Sequence, residues 1–381
     1  MLQGDVTKPP LAREAFERTD ETGFLTQAAY LLVLGSQLRG DAAGRAKLDE
    51  IIPKEDASAL GVPPLSPSVG RIDSQRSRLS LANRFGTSVT AVLPAGEDVT
   101  WRSDIFTELA RDHFREPTPA TAGNLMEACL RHPYELVRVA AATAYYDRSS
   151  EPEKLAAILE EGTRSVDFLT RQLAATALAQ VTPDHTRLSD FTKSAGRAAR
   201  AAGGRAHTAM LIHGTFALGA AWWQPGGDFH SYMLEELRTD LYNRNDRFAW
   251  SGAYSDDARE LGAKDLLTWV NSHKEQGLDL FTHSHGGSLA MLASNKGLQI
   301  GELVLLSCPV HIPKYQPDFK RVTKVVSIRV HLDLVILADR GGQRFRHAKI
   351  EENVLPIWFD HGATHKPSVW RNSTYDIPSM L

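Results

Sequence analysis

Beyond about residue 207, short apolar runs alternate with helix-length segments, and this alternation most constrains the fold. Such spacing is typical of parallel strands joined by crossover helices, because a tight turn cannot join two parallel neighbours. The predicted strands are 208–212, 247–250, 279–282, 302–306, 324–330 and 354–359, and the predicted helices are 232–241, 257–272 and 287–294. We therefore predict an α/β domain over residues 207–381, with a doubly wound, mainly parallel sheet.

The first hundred residues carry weaker signals. Apolar residues at helical spacing predict a helix over residues 21–39, with Gly35 in its last third. Residues 53–77 are rich in Pro, Ser and Gly, which predicts a loop or linker. The pattern over residues 79–93 fits a strand or a buried helix. Residues 1–100 are thus predicted to be partly helical, without a functional assignment.

Two helix-turn-helix units are predicted within an all-α region at 101–181. The segment from Arg138, Arg-Val-Ala-Ala-Ala-Thr-Ala-Tyr-Tyr, aligns with Arg-Gln-Leu-Ala-Ala-Thr-Ala-Leu-Ala from Arg171 at an offset of 33 residues. Each segment follows a predicted first helix, at 121–131 and 151–161. The units resemble HEAT-type repeats, whose small alanines let neighbouring helices approach closely.

We predict a short helical layer packed on the following domain, and a docking surface for a protein partner is the alternative. The polar residues 182–206 are predicted to be a linker.

Composition excludes several classes of protein. A net charge of −3 over 381 residues and a pI near 6.5 show no basic bias, so we expect no nucleic-acid partner. Cys129 and Cys308 lie far apart, which argues against a disulfide scaffold and favours a reducing compartment. Neither a secretory signal nor a membrane-spanning run is recognisable. We therefore expect a cytoplasmic protein without a transmembrane segment, with signal-independent export left open.

The stretch Thr282-His-Ser-His-Gly-Gly joins a predicted strand to a predicted helix. A sharp elbow of this kind lifts a serine hydroxyl out of the sheet and directs backbone N–H groups to the same place. Ser284 is therefore the candidate nucleophile, and Gly286 supplies the small residue needed where the helix crosses the turn. Thr282 stands where glycine is usual. A helix N-cap serine in an ordinary glycine-rich turn is the alternative.

A second apolar strand ends in His213 and a glycine, about 70 residues before Ser284. An oxyanion loop occupies this place in folds with a serine elbow. The predicted oxyanion donors are the backbone N–H of His285 and that of Thr215 or Phe216. We interpret His213 as a structural residue of the loop.

A serine nucleophile needs a histidine base and a carboxylate that orients it. Asp333 is the preferred acid because it directly follows a predicted strand, and Asp339 is the alternative. His365 is the preferred base because a helix start marked by proline follows it, and His361 is the alternative.

Three aromatic residues follow the oxyanion loop: Trp222, Trp223 and Phe229. They are predicted either to line an acyl pocket or to be core aromatics.

Together these features resemble the α/β-hydrolase superfamily, specifically esterases and lipases with a (Gly)-His-Ser-His-Gly-Gly elbow. The matching pieces are Ile212-His-Gly-Thr, Trp250-Ser-Gly-Ala-Tyr-Ser with Arg259, Thr282-His-Ser-His-Gly-Gly, Asp333-Leu-Val and His365. The resemblance covers about the last 175 residues. It implies a Ser284–Asp333–His365 triad that cleaves a small-molecule or lipid carboxylic ester through an acyl-enzyme, without a cofactor.

Other functions were weighed against this one. His283-x-His285 and His361-x-x-x-His365 have ligand-like spacing, but the layout His-x-His-x-Asp-His of a binuclear metallohydrolase is missing, so no metal site is predicted. A thioesterase or acyltransferase would use the same triad. A non-catalytic scaffold with a degenerate hydrolase domain is the remaining alternative.

Overall fold

The computed structural model describes residues 8–39, 51–66, 103–192, 209–275 and 277–381. Of these, residues 9–39, 57–66 and 103–158 form one compact unit, and residues 8, 51–56, 159–192, 209–275 and 277–381 form another. The predictions for residues 67–77 of the loop, for 79–93 and for 193–206 of the linker lie outside the described residues.

Helices dominate the chain before the sheet. They are α1 (Ala12–Ala15), α2 (Glu21–Arg39), α3 (Lys54–Ala59), α4 (Ser103–Arg115), α5 (Pro119–Cys129), α6 (Glu135–Tyr145), α7 (Pro152–Gly162) and α8 (Phe168–Val181), with 3₁₀ turns at Tyr146–Arg148 and Thr186–Phe191. The predicted helix over residues 21–39 is confirmed as α2. The predicted loop at 53–77 instead begins with α3, whose first turn carries Glu55 and Asp56, as favoured by the helix dipole.

Gly35 lies inside α2 because of packing. A Cβ atom there would lie 2.7 Å from the Cα atom of Ala144 in α6, closer than carbon atoms can approach. Glycine costs helix stability relative to alanine, and here it permits the close contact of the two helices.

Equivalent arginines make equivalent hydrogen bonds in the two helical hairpins. The Nη1 of Arg138 donates to the carbonyl of His132 at 2.8 Å, and the Nη1 of Arg171 donates to the carbonyl of Ser165 at 2.6 Å. Both pairs are related by the same offset of 33 residues that aligns the sequences. Each arginine ties the second helix of its hairpin to the turn before it. The assignment to HEAT-type repeats stays a prediction.

Five parallel strands form the sheet in the order β1-β2-β3-β4-β5. They are β1 (Ala209–Ile212), β2 (Leu278–His283), β3 (Ile300–Leu306), β4 (Val322–His331) and β5 (Glu351–Trp358). Most residues of β1 to β4 are buried, as is typical of parallel strands that are covered on both faces, whereas β5 is partly exposed. The chain is thus a mixed α/β protein with an all-parallel sheet in its C-terminal part.

The predicted strand at 247–250 is wrong, since these residues are irregular in the structure. Phe248 and Trp250 are buried in the core, and the Trp250 Nε1 donates to the His213 carbonyl at 2.8 Å. Burial of loop side chains therefore produced the apolar pattern that resembled a strand.

Helices lie between and after the strands. They are α9 (Asp228–Tyr232), α10 (Asp256–His273), α11 (His285–Asn295), α12 (Leu334–Ala338) and α13 (Pro367–Trp370), with a π-helical turn at Met233–Leu237 and 3₁₀ turns at Ala363–His365 and Ile377–Met380. Met210 and Ile212 of β1 face one core cluster with α10 and α11, while Ala209 and Leu211 face another with α9 and α13. None of the described helices is both long enough and apolar enough to cross a bilayer.

Candidate active site

Ser284 occupies a strained elbow between β2 and α11. Its φ of 52° and ψ of −134° place a non-glycine residue in a sparsely populated region, which costs about 1–3 kcal/mol. The Ser284 N–H donates to the carbonyl of Leu306 at 2.9 Å, so the neighbouring β3 strand holds the turn. Strain of this kind is typical of functional positions, and it sets the serine hydroxyl at the carboxyl end of the sheet.

Two glycines allow the elbow to approach the end of β1. A Cβ atom on Gly286 would lie 2.7 Å from the carbonyl oxygen of His213. A Cβ atom on Gly214 would lie 2.6 Å from the Cβ of Ser284. Neither position accepts a side chain without movement of the backbone, so both glycines are required by the close contact of the Ser284 elbow with the predicted oxyanion loop.

Thr282, at the usual glycine position, is accommodated within the sheet. Its side chain is fully buried, and its Oγ1 donates to the carbonyl of Val304 in β3 at 3.0 Å. The hydroxyl is therefore satisfied, and the threonine braces the strand that leads into the elbow.

Asp333 and His361 form a buried pair after β4 and β5. The His361 Nδ1 donates to the Asp333 Oδ2 at 2.7 Å. Since Nδ1 carries the proton, the other ring nitrogen, Nε2, is free to accept one. His361 and Ser284 line the same pocket.

Asp333 is held by the backbone around it. Its Oδ1 accepts hydrogen bonds from the N–H groups of Val335 and Ile336 at 3.0 and 3.1 Å, which makes Asp333 the N-cap of α12. The buried Gln343 amide pairs with the Asp333 backbone, accepting from its N–H at 3.0 Å and donating to its carbonyl at 3.2 Å. One carboxylate oxygen is thus fixed by the helix while the other faces the histidine.

His365, the preferred base in the sequence, is not paired with Asp333. Its ring stacks on Trp222 with centroids 4.3 Å apart, and its buried Nε2 has no hydrogen-bond partner among the described residues. Burial, with a smaller contribution from His361, lowers the pKa of His365 to about 3. The geometry therefore pairs the alternative histidine, His361, with the acid.

His283 supports the backbone of the paired histidine. Its Nε2 donates to the carbonyl of His361 at 3.1 Å. Burial, followed by the neighbouring His365 and His361, lowers the pKa of His283 well below its usual range. His283 is therefore a neutral, buried donor that positions His361.

The predicted oxyanion donors differ in availability. The backbone N–H of His285 lies at the first position of α11, where no acceptor exists within the helix. The N–H of Phe216 is already used, since it donates to the carbonyl of Gly252 at 2.9 Å. Of the two loop donors, the structure leaves Thr215. The Thr215 side chain lines the pocket, and no described residue forms a hydrogen bond with its buried Oγ1.

Asp339, the alternative acid, lies at the other end of α12 and contacts different groups. It accepts hydrogen bonds from His285 Nε2 at 3.1 Å, His311 Nε2 at 2.6 Å and Tyr254 Oη at 2.5 Å. Burial raises the pKa of Asp339, but His285 and His311 lower it by more, so it lies well below its usual range. Burial lowers the pKa of His285 to about 4. Asp339 is thus ionised and shared by three side chains, without a contact to His361 or His365.

A pocket with about 270 Å³ of empty space, part of it open to solvent, lies among these groups. It is lined by Gln172, Thr176, Thr215, Tyr254, Ser284, His285, Pro309, Val335, Ile336, Asp339 and His361. The contribution of Gln172 and Thr176 in α8 could not be predicted, because nothing in a helical hairpin marks a pocket wall. His311 was not among the predicted site residues either, although a polar residue beyond the carboxyl end of a parallel strand is a recognisable signal.

The three aromatic residues are core residues and do not line this pocket. Trp222, Trp223 and Phe229 are buried in the cluster on the α9 and α13 face. The Trp223 Nε1 donates to the Ala217 carbonyl at 2.9 Å, which ties the loop after β1 to the core.

No protein-family model matches the chain, and neither a curated protein nor a solved structure matches it.

Proposed function

We propose that the protein is a serine hydrolase that cleaves carboxylic esters through an acyl-enzyme on Ser284. One arrangement carries this proposal: Ser284, on its strained elbow, shares a pocket with His361, whose Nδ1 is hydrogen bonded to Asp333. Acyl transfer requires a nucleophile, a base with a defined tautomer and a carboxylate that orients the base. His361 thus replaces His365 in the triad that the sequence suggested.

The reaction begins with proton transfer from Ser284 to His361. As the Ser284 Oγ attacks the acyl carbon, the His361 Nε2 takes its proton, and Asp333 stabilises the charged imidazolium. His361 then donates the proton to the leaving alcohol. Water, activated by the same histidine, hydrolyses the acyl-enzyme and restores the serine.

The negative oxygen of the tetrahedral intermediate is assigned to the backbone N–H groups of His285 and Thr215. The His285 group also lies at the positive end of the α11 dipole. Loss of one such donor typically costs about 2.7–4 kcal/mol of transition-state stabilisation.

The pocket favours a short or polar acyl group over a long hydrocarbon chain. Its empty space of about 270 Å³ includes a part that is open to solvent, so the enclosed volume is smaller than this value. Gln172, Thr176 and Tyr254 contribute polar groups to its wall. A small-molecule ester is therefore proposed as the substrate, in preference to a lipid ester.

A fluorophosphonate probe and a series of short p-nitrophenyl esters test the nucleophile. We expect the probe to label Ser284, and Ser284→Ala to lose both labelling and turnover. Ser272→Ala, at an exposed serine outside the pocket, is the matched control and should retain both. Labelling of another residue, or unchanged turnover in Ser284→Ala, would refute the assignment. Product analysis with thiol and alcohol acceptors separates hydrolysis from acyl transfer, and thioester substrates test for a thioesterase.

The base is tested by comparing two histidines four residues apart. His361→Ala should lower kcat by about 10⁴-fold or more, as expected when a triad histidine is lost. His365→Ala should retain most of the activity. The opposite result would restore the triad with His365.

A further inference from the structure

Three side chains converge at a point where three segments of the chain meet. His285 begins α11, His311 lies in the loop after β3, and Asp339 ends α12. One nitrogen from each imidazole and one carboxylate oxygen all lie within 4.8 Å of one another. The triad proposed above uses none of these side chains.

The donor set is one that divalent transition metals prefer. Two imidazole nitrogens and a carboxylate oxygen form the protein ligands of many catalytic zinc sites, which keep a further position open. Imidazole and carboxylate together also suit cobalt and iron. Both imidazoles already face the carboxylate of Asp339, His285 through Oδ1 and His311 through Oδ2.

The residues behind these ligands are arranged to support metal binding. A cation can replace the protons on the two Nε2 atoms only if each imidazole is protonated at Nδ1 instead. For His285 this proton has an acceptor, because Ser288 Oγ lies 3.1 Å from Nδ1. The Tyr254 Oη donates to Asp339 and itself accepts a hydrogen bond from Gln180 at 3.0 Å, which orients the carboxylate.

The cluster is accessible. His285 and Asp339 form part of the pocket wall beside Ser284, and the His311 side chain is 29% exposed. A metal ion therefore has an entry path, and its open position would face either the pocket or solvent.

We propose that His285, His311 and Asp339 form a binding site for a divalent transition-metal ion of the zinc class. Such an ion would tie the loop after β3 to the ends of α11 and α12. The site does not depend on the proposed hydrolase activity, since binding is measured without substrate.

For the test, metal-free protein is prepared with a chelator. Zn²⁺ binding is then followed by calorimetry and Co²⁺ binding by visible absorption. We expect one ion per chain. His311→Ala removes one of the proposed metal ligands. Loss of an outer-shell partner alone typically weakens metal binding by about 10- to 100-fold, so this variant should lose at least that much affinity. His347→Ala, at a partly exposed histidine that stacks on Phe319 outside the cluster, is the matched control and should bind as the wild type does.

A second variant keeps the test decisive if folding is affected. His311→Cys replaces imidazole with another metal ligand, so it should restore Co²⁺ binding and add a thiolate charge-transfer band. Ser284→Ala should bind normally, which separates this site from the hydrolase proposal. Absence of binding in the wild type, or equal binding in the wild type and in folded His311→Ala, would overturn the assignment.

Discussion

The two ends of α12 (Leu334–Ala338) carry two buried aspartates with different partners. Asp333 caps the start of the helix and binds one histidine, His361, through a single oxygen. Asp339 ends the helix and is shared by two histidines and a tyrosine. Two residues of the same type, separated by the five residues of the helix, are therefore placed in two different chemical environments.

The partners of a carboxylate determine which chemistry is open to it, as the two carboxylates of many hydrolases illustrate. The oxygen of Asp333 that does not face His361 is occupied by backbone N–H groups, so the aspartate orients one imidazole and leaves its second nitrogen free. Both oxygens of Asp339 face side-chain donors. The first arrangement is suited to proton transfer and the second to holding a cation.

The largest expected effect separates the two aspartates by activity. Asp333→Asn retains the oxygen that caps α12 but no longer fixes the His361 tautomer, so kcat should fall by about 10⁴-fold. Asp339→Asn should lower kcat by less than about tenfold, because Asp339 does not contact the proposed base. Steady-state kinetics on a short ester measure both. Equal losses in the two variants would remove the distinction between the two ends of the helix.

A stability measurement tests how tightly the Asp339 cluster is bound together. Asp339→Ala leaves His285 and Tyr254 as buried donors without an acceptor, so we expect the free energy of unfolding to fall by about 3 kcal/mol. His311→Ala should cost less than about 1 kcal/mol, because the partly exposed imidazole is replaced by water. Urea unfolding of the metal-free variants gives both values. Equal losses of unfolding free energy in the two variants would show that the burial of a side chain does not set its contribution to the stability of the cluster.

The pH dependence of stability tests the place of His365 outside the triad. An unfolded histidine takes up a proton below a pH of about 6.5, whereas the pKa of His365 in the fold is about 3. This contribution to stability is complete above pH 6.5 and is lost as the pH falls towards 3. In His365→Leu, the slope between pH 4 and 6 should be shallower by about 1.4 kcal/mol per pH unit. An unchanged slope, or a loss of esterase activity comparable to that of His361→Ala, would contradict the assignment.

The smallest effect concerns the unpartnered hydroxyl of Thr215. Thr215→Val removes a buried oxygen without a hydrogen bond, so the free protein should gain about 1 kcal/mol of stability. Activity should fall by less than about tenfold, since the backbone N–H of this residue remains. Thr268→Val, at an exposed hydroxyl on α10, is the control and should change stability by no more than about 0.5 kcal/mol. A destabilised Thr215→Val would show that the hydroxyl has a structural partner.

Much of the sheet could be predicted because each strand contains a short apolar run. All five strands overlap predicted ranges, and β1 ends at Ile212 as predicted. The apolar run that ends at Trp250 was misassigned because a buried loop and a buried strand have the same composition over four residues.

The candidate site could be predicted only as far as it is local in sequence. Ser284 and Asp333 follow strands directly, so their positions at the carboxyl edge of the sheet follow from the strands. His361 and His365 are only four residues apart, and the 3₁₀ turn Ala363–His365 directs the second ring towards Trp222. That rotation depends on tertiary packing and has no signal in the sequence.

The pairing of His311 with Asp339 could not be predicted for a related reason. The two residues lie 28 positions apart in the chain and on separate segments. Their contact requires β4 to return the chain to the same edge of the sheet, and it depends on the path of the loop after β3.

Under the proposed function, Gln172 and Thr176 would give α8 a part in substrate choice. Because α8 supplies one part of the pocket wall while Ser284, Asp333 and His361 follow strands of the sheet, the acyl preference would depend partly on a different stretch of the gene from the reacting groups. Recombination before the sheet would then alter the acyl preference and leave the reacting groups in place. Residues 207–381 alone would retain the reacting groups and lose this part of the pocket wall.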